Sequence, residues 1–226
     1  MRVAVLGTGG VGQNLAAKIA SLGHEVMVGT RDVQAALDRT DAGWGAIVFS
    51  EWHAQHPDVK VGTFADAAAH AEIVFNATAG MATLDALRAA GVENLEGKVL
   101  IDVANPLDFS KGMPPTLSVS NTDSLGEQIQ RAFPGTKVVK SLNTVSSNLM
   151  VDPNQVAGGD HHIFISGNDQ DAKAEVTRIL KDWFGWKNVL DLGDITSARG
   201  PEMLVPLWLR LSMALQGYSV TIKVVH

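Results

Sequence analysis

The sequence predicts an α/β fold, a doubly wound and mostly parallel sheet with a small C-terminal α/β extension ending in an apolar helix. Three observations lead there. Short apolar, β-branched runs alternate with Ala-rich amphipathic segments, the β-α-β-α order of a parallel sheet covered on both faces. The first run enters a Gly-rich turn that opens a helix. After about Thr144 the alternation is broken by a loop marked by Pro153, Gly158 and Gly159, and a shorter strand–helix–strand–helix series follows. The pattern is Rossmann-type, with residues 1–145 as its main domain and 146–226 as a small C-terminal one.

The elements follow from local patterning. Arg2–Leu6 reads as a strand and Val11–Ser21 as a helix that Gly23 closes. Glu25–Val28 is a second strand. Asp32–Leu37 and Ile47–His56 read as helices separated by Gly43 and Gly45. Val59–Gly62 is a short strand and Ala65–Ala71 a short helix. Strands at Ile73–Ala77 and Val99–Val103 flank a helix around Thr83–Ala90, and Thr136–Leu142 is a further strand. In the extension, His162–Ser166 and Asn188–Leu192 read as strands around a helix, Asp169–Phe184, with Asp169 as its cap. Pro201 opens the last helix and Gly217 ends it. Leu204, Leu207, Leu211 and Leu215 form one face of that helix, and Val205, Trp208, Leu209 and Met213 make most of the rest apolar. Such a helix is expected to be buried on several sides, within the monomer or at a subunit interface.

Composition narrows the function classes. The 226 residues are 46% hydrophobic and 19% charged, enough apolar side chain for a core. A net charge of −6 gives no general attraction to nucleic acid or to anionic lipid. Cysteine is absent, which removes disulfides, thiolate catalysis and Cys-ligated zinc. The most apolar late stretch, Met203–Val220, is interrupted by Pro206, Arg210 and Gln216 and falls short of the ~20 apolar residues a bilayer demands. A cytoplasmic protein is expected. His53 with His56, and His161 with His162, lack further ligands in reach, so no metal is expected. Trp44, Trp52, Trp183 and Trp186 read as packing residues.

The chemistry begins at Gly7-Thr8-Gly9-Gly10-Val11-Gly12. This is G-x-G-x-x-G after a strand and before a helix, the context that makes the motif informative. Gly7 permits the tight turn, Gly9 lets backbone approach a pyrophosphate, and Gly12 allows close helix–strand packing. The helix start offers free N–H groups to phosphates. The second strand runs out into Gly29-Thr30-Arg31, with Gly29 where an NAD site would place an acid. Thr30 and Arg31 offer a hydroxyl and a guanidinium, the pair a 2′-phosphate needs, and Asp32 either caps the next helix or serves a ribose. NADP(H) is the expected nucleotide.

These motifs resemble the NADP oxidoreductase, coenzyme F420-dependent family. Further stretches agree: Val138-Val139-Lys140-Ser141-Leu142-Asn143-Thr144, which is even closer to the related reductase domain of the STEAP metalloreductases, then Gly167-Asn168-Asp169, Leu192-Gly193-Asp194 and the helix from Pro201 to Gly217. The resemblance covers nearly the full length. It implies hydride transfer between NADP(H) and a deazaflavin (F420), the two rings stacked in an apolar cleft, and a homodimer. Carried over by position, Thr8, Gly9, Gly10 and Val11 would cradle the pyrophosphate and Thr30 and Arg31 the 2′-phosphate. Ala77, Thr78 and Ala79 would line the nicotinamide ribose, and Val103 and Asn105 would approach the nicotinamide. The archaeal deazaflavin enzymes carry His where Asn143 stands.

Hydride transfer between stacked rings asks the protein for orientation and a dry cleft rather than an acid or nucleophile. Consistent with that, there is no Ser-x-Tyr-x-x-x-Lys pattern and no nucleophile elbow, and no residue is assigned as catalytic. Asn143 and Thr144 are the candidates to bond the small-molecule redox acceptor or the nicotinamide amide. Other readings remain open: an NADPH-dependent imine or carbonyl reductase, a flavin or quinone reductase, or a non-catalytic NADP(H) sensor. Pyrroline-carboxylate reductase-type domains share the N-terminal pattern but continue into a long helical dimerisation domain. Arg31→Ala should weaken NADPH binding by about 1.5–3 kcal/mol and leave NADH nearly unaffected, measured as Kd for each nucleotide.

Overall fold

The computed structural model describes residues 1–42 and 46–225; Gly43, Trp44 and Gly45 lie outside the described residues. Strand β1 (Arg2–Leu6) is followed by α1 (Gly10–Ser21), β2 (Glu25–Thr30), α2 (Val33–Asp38), α3 (Phe49–Gln55), β3 (Lys60–Thr63), α4 (Phe64–His70) and β4 (Ile73–Asn76). Next come α5 (Thr83–Ala90), α6 (Val92–Leu95), β5 (Val99–Asp102), a hairpin of β6 (Leu107–Asp108) and β7 (Thr116–Leu117), α7 (Leu125–Ala132), β8 (Lys137–Ser141) and α8 (Ser147–Val151). The chain ends with β9 (His162–Gly167), α9 (Gln170–Asp182), β10 (Asn188–Asp191) and α10 (Arg199–Ala214).

The main sheet has eight strands in the order β10-β9-β8-β5-β4-β1-β2-β3. From β3 to β8 every pairing is parallel, the doubly wound order in which ligands bind where the strand order reverses. Residues beyond 145 extend the same sheet: β9 runs antiparallel to β8, and β10 parallel to β9. The reversal puts the start of β9 at the end of the sheet where the parallel strands finish, and the end of β10 at the opposite end. Helix α10 then returns along the sheet toward the parallel strand exits.

Alternation along each strand sends side chains to two cores. Val3, Val5, Val28, Phe75, Ile101 and Val139 pack under α1, α3, α8 and α9. Ala4, Leu6, Val74, Leu100 and Val138 pack under α4, α5, α6 and α7. Helix starts are fixed by side-chain caps: Asp32 accepts from the Ala35 amide, Thr63 and Asp66 form a reciprocal capping box, Ser124 accepts from Glu127 and Asp169 from Ala172. The expected cap at Asp169 is therefore present, and Asp32 serves as a cap. Gly23 follows α1 with φ +83°, the left-handed residue that ends it.

Several boundaries differ from the sequence reading. Strand β2 continues through Gly29 and Thr30, because both pair with β3. The last helix begins at Arg199, carried on from a 3-10 turn at Ile195–Ala198, so Pro201 sits within its first turn; it ends at Ala214. The expected loop at Pro153–Gly159 contains two 3-10 turns. Helix α10 is also less buried than its composition implies: Val205 and Leu209 are buried, while Met203, Leu207, Leu211, Met213 and Leu215 are exposed. Its apolar surface is wider than its neighbours in the chain cover. Trp186 is a core residue, its indole N–H donating to the Met150 carbonyl.

One surface pair carries a pH signature. Arg131 donates two hydrogen bonds to Asp123, at 2.9 and 2.8 Å. These bonds, with help from Gln128 and the Ser124 amide against the opposing effect of burial, lower the Asp123 pKa to about 2. A depressed folded-state pKa stabilises the fold above the unfolded carboxylate value near ~4, and that stabilisation fades as pH falls toward about 2. The guanidinium is more than half exposed, so screening leaves about 1 kcal/mol. Asp123→Asn should lower stability by that amount at pH 7, and most of the gap should vanish by pH 2 in urea titrations at both values.

Candidate functional site

The Gly-rich turn is built by close backbone contacts. The Gly7 amide donates to the Gly29 carbonyl at 2.9 Å, and the Ala77 amide to Leu6. A Cβ on Gly7, where φ is +121°, would stand 2.5 Å from the Ala77 oxygen. A Cβ on Gly12 would stand 2.1 Å from the Gly7 oxygen. These two glycines seat α1 against β1 and β4. Gly9 is different: a Cβ there would meet none of the described residues within 4 Å. Helix α1 has no side-chain cap and no acid in its first turn, so its leading N–H groups have no side-chain acceptor among the described residues.

Gly29 has a packing cause. Its Cβ would meet Leu6 Cδ2 at 2.8 Å and the Ala67 Cβ at 3.0 Å, between the sheet and α4. A carboxylate there would enter the core rather than the turn. At the strand end Thr30 is nearly buried and Arg31 is exposed. Sequence reasoning missed Arg39, at the end of α2, whose Nη2 donates to Thr8 Oγ1 at 2.8 Å. No spacing signal marks it, because the contact is made only once α2 folds back on the turn. Gln13 ties the same turn to the following linker, donating to the Thr8 and Ile47 carbonyls.

Beside the turn lies a cavity of about 550 Å³ at the exits of β4, β5 and β8. Val11, Ala77, Thr78, Ala79, Val103, Asn105 and Asn143 of the expected set line it. Gly7, Thr8, Gly9, Gly10 and Gly12 form the adjoining turn. Thr144, expected to face the acceptor, is buried and does not line the cavity. Asn143 lines it but is engaged: its amide donates to Asn105 Oδ1 at 2.9 Å, while Asn105 donates to the Asn143 carbonyl at 2.8 Å. The opposite wall is supplied by Val205, Trp208 and Leu209 of α10, with Tyr218 beyond. Trp208 donates to the Val220 carbonyl at 2.9 Å, which holds the C-terminal segment against that wall. Among the described residues the lining side chains are apolar or neutral polar, with Tyr218 alone titratable.

A row of polar residues lies directly beneath. Strand register sets Asn76, Asp102 and Lys140 side by side on one face of β4, β5 and β8. Lys140 is fully buried, and its ammonium donates to Asp102 at 2.8 Å, to Glu202 at 2.8 Å and to the Ala104 carbonyl. Burial alone would push its pKa down; Asp102 and Glu202 overcome that and raise it above the usual lysine value. Glu202 also accepts from the Leu125 and Gly126 amides, capping α7 from outside. Asp102 accepts from Asn76 at 2.7 Å and from the Ala104 amide, and Asn76 accepts from the Thr78 hydroxyl at 2.7 Å. The signal was a polar residue closing each apolar strand, at Asn76, Asp102 and Lys140.

His161 is buried, with Nε2 on the Pro153 carbonyl and its ring edge-on to Trp186. His53 stacks on Phe49, and His56 on Trp52. Among the described residues no three His, Cys, Asp or Glu side chains gather as a metal site. No helix among them is long and apolar enough to cross a membrane.

The chain is similar to known proteins along its length. Residues 2–106 match the family model described as NADP oxidoreductase, coenzyme F420-dependent. An F420-dependent NADP reductase of Methanothermobacter marburgensis is 30% identical over 223 residues, covering 94% of this chain and 93% of the relative. A crystal structure of an Arthrobacter sp. FB24 protein, designated an F420-dependent NADP-reductase, superimposes with a TM-score of 0.96 at 57% identity and full coverage of both chains. Rat metalloreductase STEAP3 is 27% identical over 213 residues, 92% of this chain but 38% of that protein.

The exits of β4 and β5 touch through backbone. A Cβ on Gly80 would lie 2.0 Å from the Asn105 oxygen. Gly80→Ala must therefore move one cavity wall, and is expected to cost about 2 kcal/mol in urea unfolding.

Proposed function

The chain belongs to the NADP oxidoreductase, coenzyme F420-dependent family, and from that membership we propose that it transfers hydride between NADP(H) and a deazaflavin of the F420 type. As a member of that family it is an oxidoreductase. The observation that carries the proposal is the cavity itself, apolar on two facing sides and opening beside the Gly-rich turn. When bound, the nicotinamide and the deazaflavin supply the redox chemistry.

The chain's own residues supply binding, orientation and dryness. The uncapped start of α1 leaves amides for a pyrophosphate, and the open space at Gly9 lets it approach. Arg31, Thr30 and Thr8, joined by Arg39, form the polar edge for a 2′-phosphate, where a planar guanidinium can bond two oxygens at once. Ala77, Thr78, Ala79, Val103 and Asn105 take the nicotinamide side, and Val205, Trp208 and Leu209 the acceptor side. On this reading residues 1–145 hold the nucleotide and 146–226 complete the acceptor cleft. Among the described residues the walls carry no His, Asp, Glu, Lys or Arg, which suits a hydride step between stacked rings, with the proton that balances reduction of the acceptor taken from solvent. The exposed row of Met203, Leu207, Leu211 and Leu215 on α10 supports a homodimer, and the absence of cysteine accords with a cytoplasmic location.

The test is absorbance-monitored reduction of coenzyme F420 by NADPH, with NADH alongside. Turnover with NADPH, and at least tenfold less with NADH, is the expected result. Nucleotide binding without F420 turnover would move the acceptor to a flavin, quinone or imine. Binding without turnover of any of these would leave a sensor.

A further inference from the structure

None of Asp102, Lys140 and Glu202 lines the cavity, yet the cluster they form is bonded to one wall at Ala104 and to the helix that carries the other. We propose that Lys140 is a positioning residue that sets the spacing between the two walls of the cleft, with Glu202 as its link to α10. The inference rests on the hydride-transfer reading above and concerns the same site.

The lysine has three protons and three acceptors, on three different elements. Through the Ala104 carbonyl it fixes the peptide that leads into Asn105, one wall of the cavity. Asp102 holds the amide of the same residue, so both polar groups of Ala104 are fixed from below. Asp102 also holds Asn76, which holds Thr78, so the exit of β4 is fixed by the same charge. Through Glu202 the ammonium reaches α10 one turn before Val205, which stands on the opposite wall with Trp208 and Leu209.

Stability alone does not call for such a cluster. Burying three charges is costly, and well-packed apolar side chains of the same volume commonly serve as well or better. What the charges provide is direction: the ammonium has oriented bonds to Ala104 on one wall and to Glu202 on the helix that carries the other. Hydride transfer is sensitive to that kind of order, because reacting atoms must lie about 3–3.5 Å apart and a misplacement of ~1 Å can cost on the order of a hundredfold in rate.

The experiment compares the parent enzyme with Glu202→Gln, which keeps the shape and leaves Lys140 paired to Asp102, and with the neutral triple variant Asp102→Asn/Lys140→Met/Glu202→Gln. Folding is followed by thermal melting, nucleotide binding by NADPH fluorescence, and turnover by F420 reduction. The expected outcome for a variant that melts as a cooperative unit is an NADPH Kd within about twofold of the parent and a kcat at least tenfold lower. A larger primary isotope effect from 4-deuterated NADPH should accompany the lower kcat. Parent-like kcat in a folded variant overturns the proposal, as does a loss of activity that only follows the unfolded fraction. Failure of both variants to fold assigns the cluster a purely structural role and overturns it too. An inactive parent would sink the F420 reading instead. The positioning claim would then be decided by crystal structures of the parent and Glu202→Gln: a changed gap between Ala104 and Val205 supports it, and an unchanged gap overturns it.

Discussion

The Lys140 ammonium, with no exposure to solvent, is the constraint on which the rest of the molecule's arrangement depends. A charge in that position must find an acceptor for every proton, since one left unmatched would cost several kcal/mol. The fold supplies the acceptors from β5, from the loop beyond it and from α10. Meeting that demand fixes where three parallel strands stop, because Asn76, Asp102 and Lys140 can lie in one row only in the observed register. It also fixes where α10 stands over the exits of β5 and β8. The capping of α7 follows, since Glu202 can reach the Leu125 and Gly126 amides only from that position.

The reversed strand completes this logic. A seventh parallel strand beyond β8 would deliver the chain to the cavity end of the sheet, leaving its next helix to run away from the ligand. Strand β9 instead runs antiparallel, and β10 with it. The chain leaves β10 at the far end and returns through a 3-10 turn packed near α7, where Arg199 pairs with Glu127. Helix α10 then arrives at the cavity by its middle, presenting Val205 and Leu209 inward and an apolar row outward. The second wall is thus a product of strand direction as much as of helix sequence.

Much of this was legible in the residues. Strand β1 and helix α5 fall at the ranges their patterning suggests, and the Gly-rich turn declares its role by position. Helix α7 is weakly marked by apolar period, since Leu125 is the one apolar side chain of its first turn, although Ser124-Leu125-Gly126-Glu127 carries a capping-box signature. Arg39 and Glu202 could not be found from spacing, since their partners are 31 residues or more away in the chain. Gly29 stands where an acid would signal NAD, and the NADP(H) drawn from it holds; what the sequence does not show is its packing cause, the Leu6 and Ala67 side chains that a Cβ there would meet. For α10 composition left two cases open, burial within the monomer and burial at an interface, because it reports how apolar a helix is and not which neighbour covers it; in the chain itself Val205 and Leu209 are buried and Leu207 and Leu211 are not.

The three glycines of the turn differ in what would keep them unchanged over time. Gly7 and Gly12 are locked by contacts that exist in the protein alone, so any descendant that still folds this way must retain them. Gly9 has no such neighbour. None of the described residues would resist its replacement, whereas a ligand lying across the turn would. A lineage that kept the architecture but abandoned its nucleotide would hold the first and third glycines and let the second drift, so the middle residue alone separates inheritance of shape from inheritance of use.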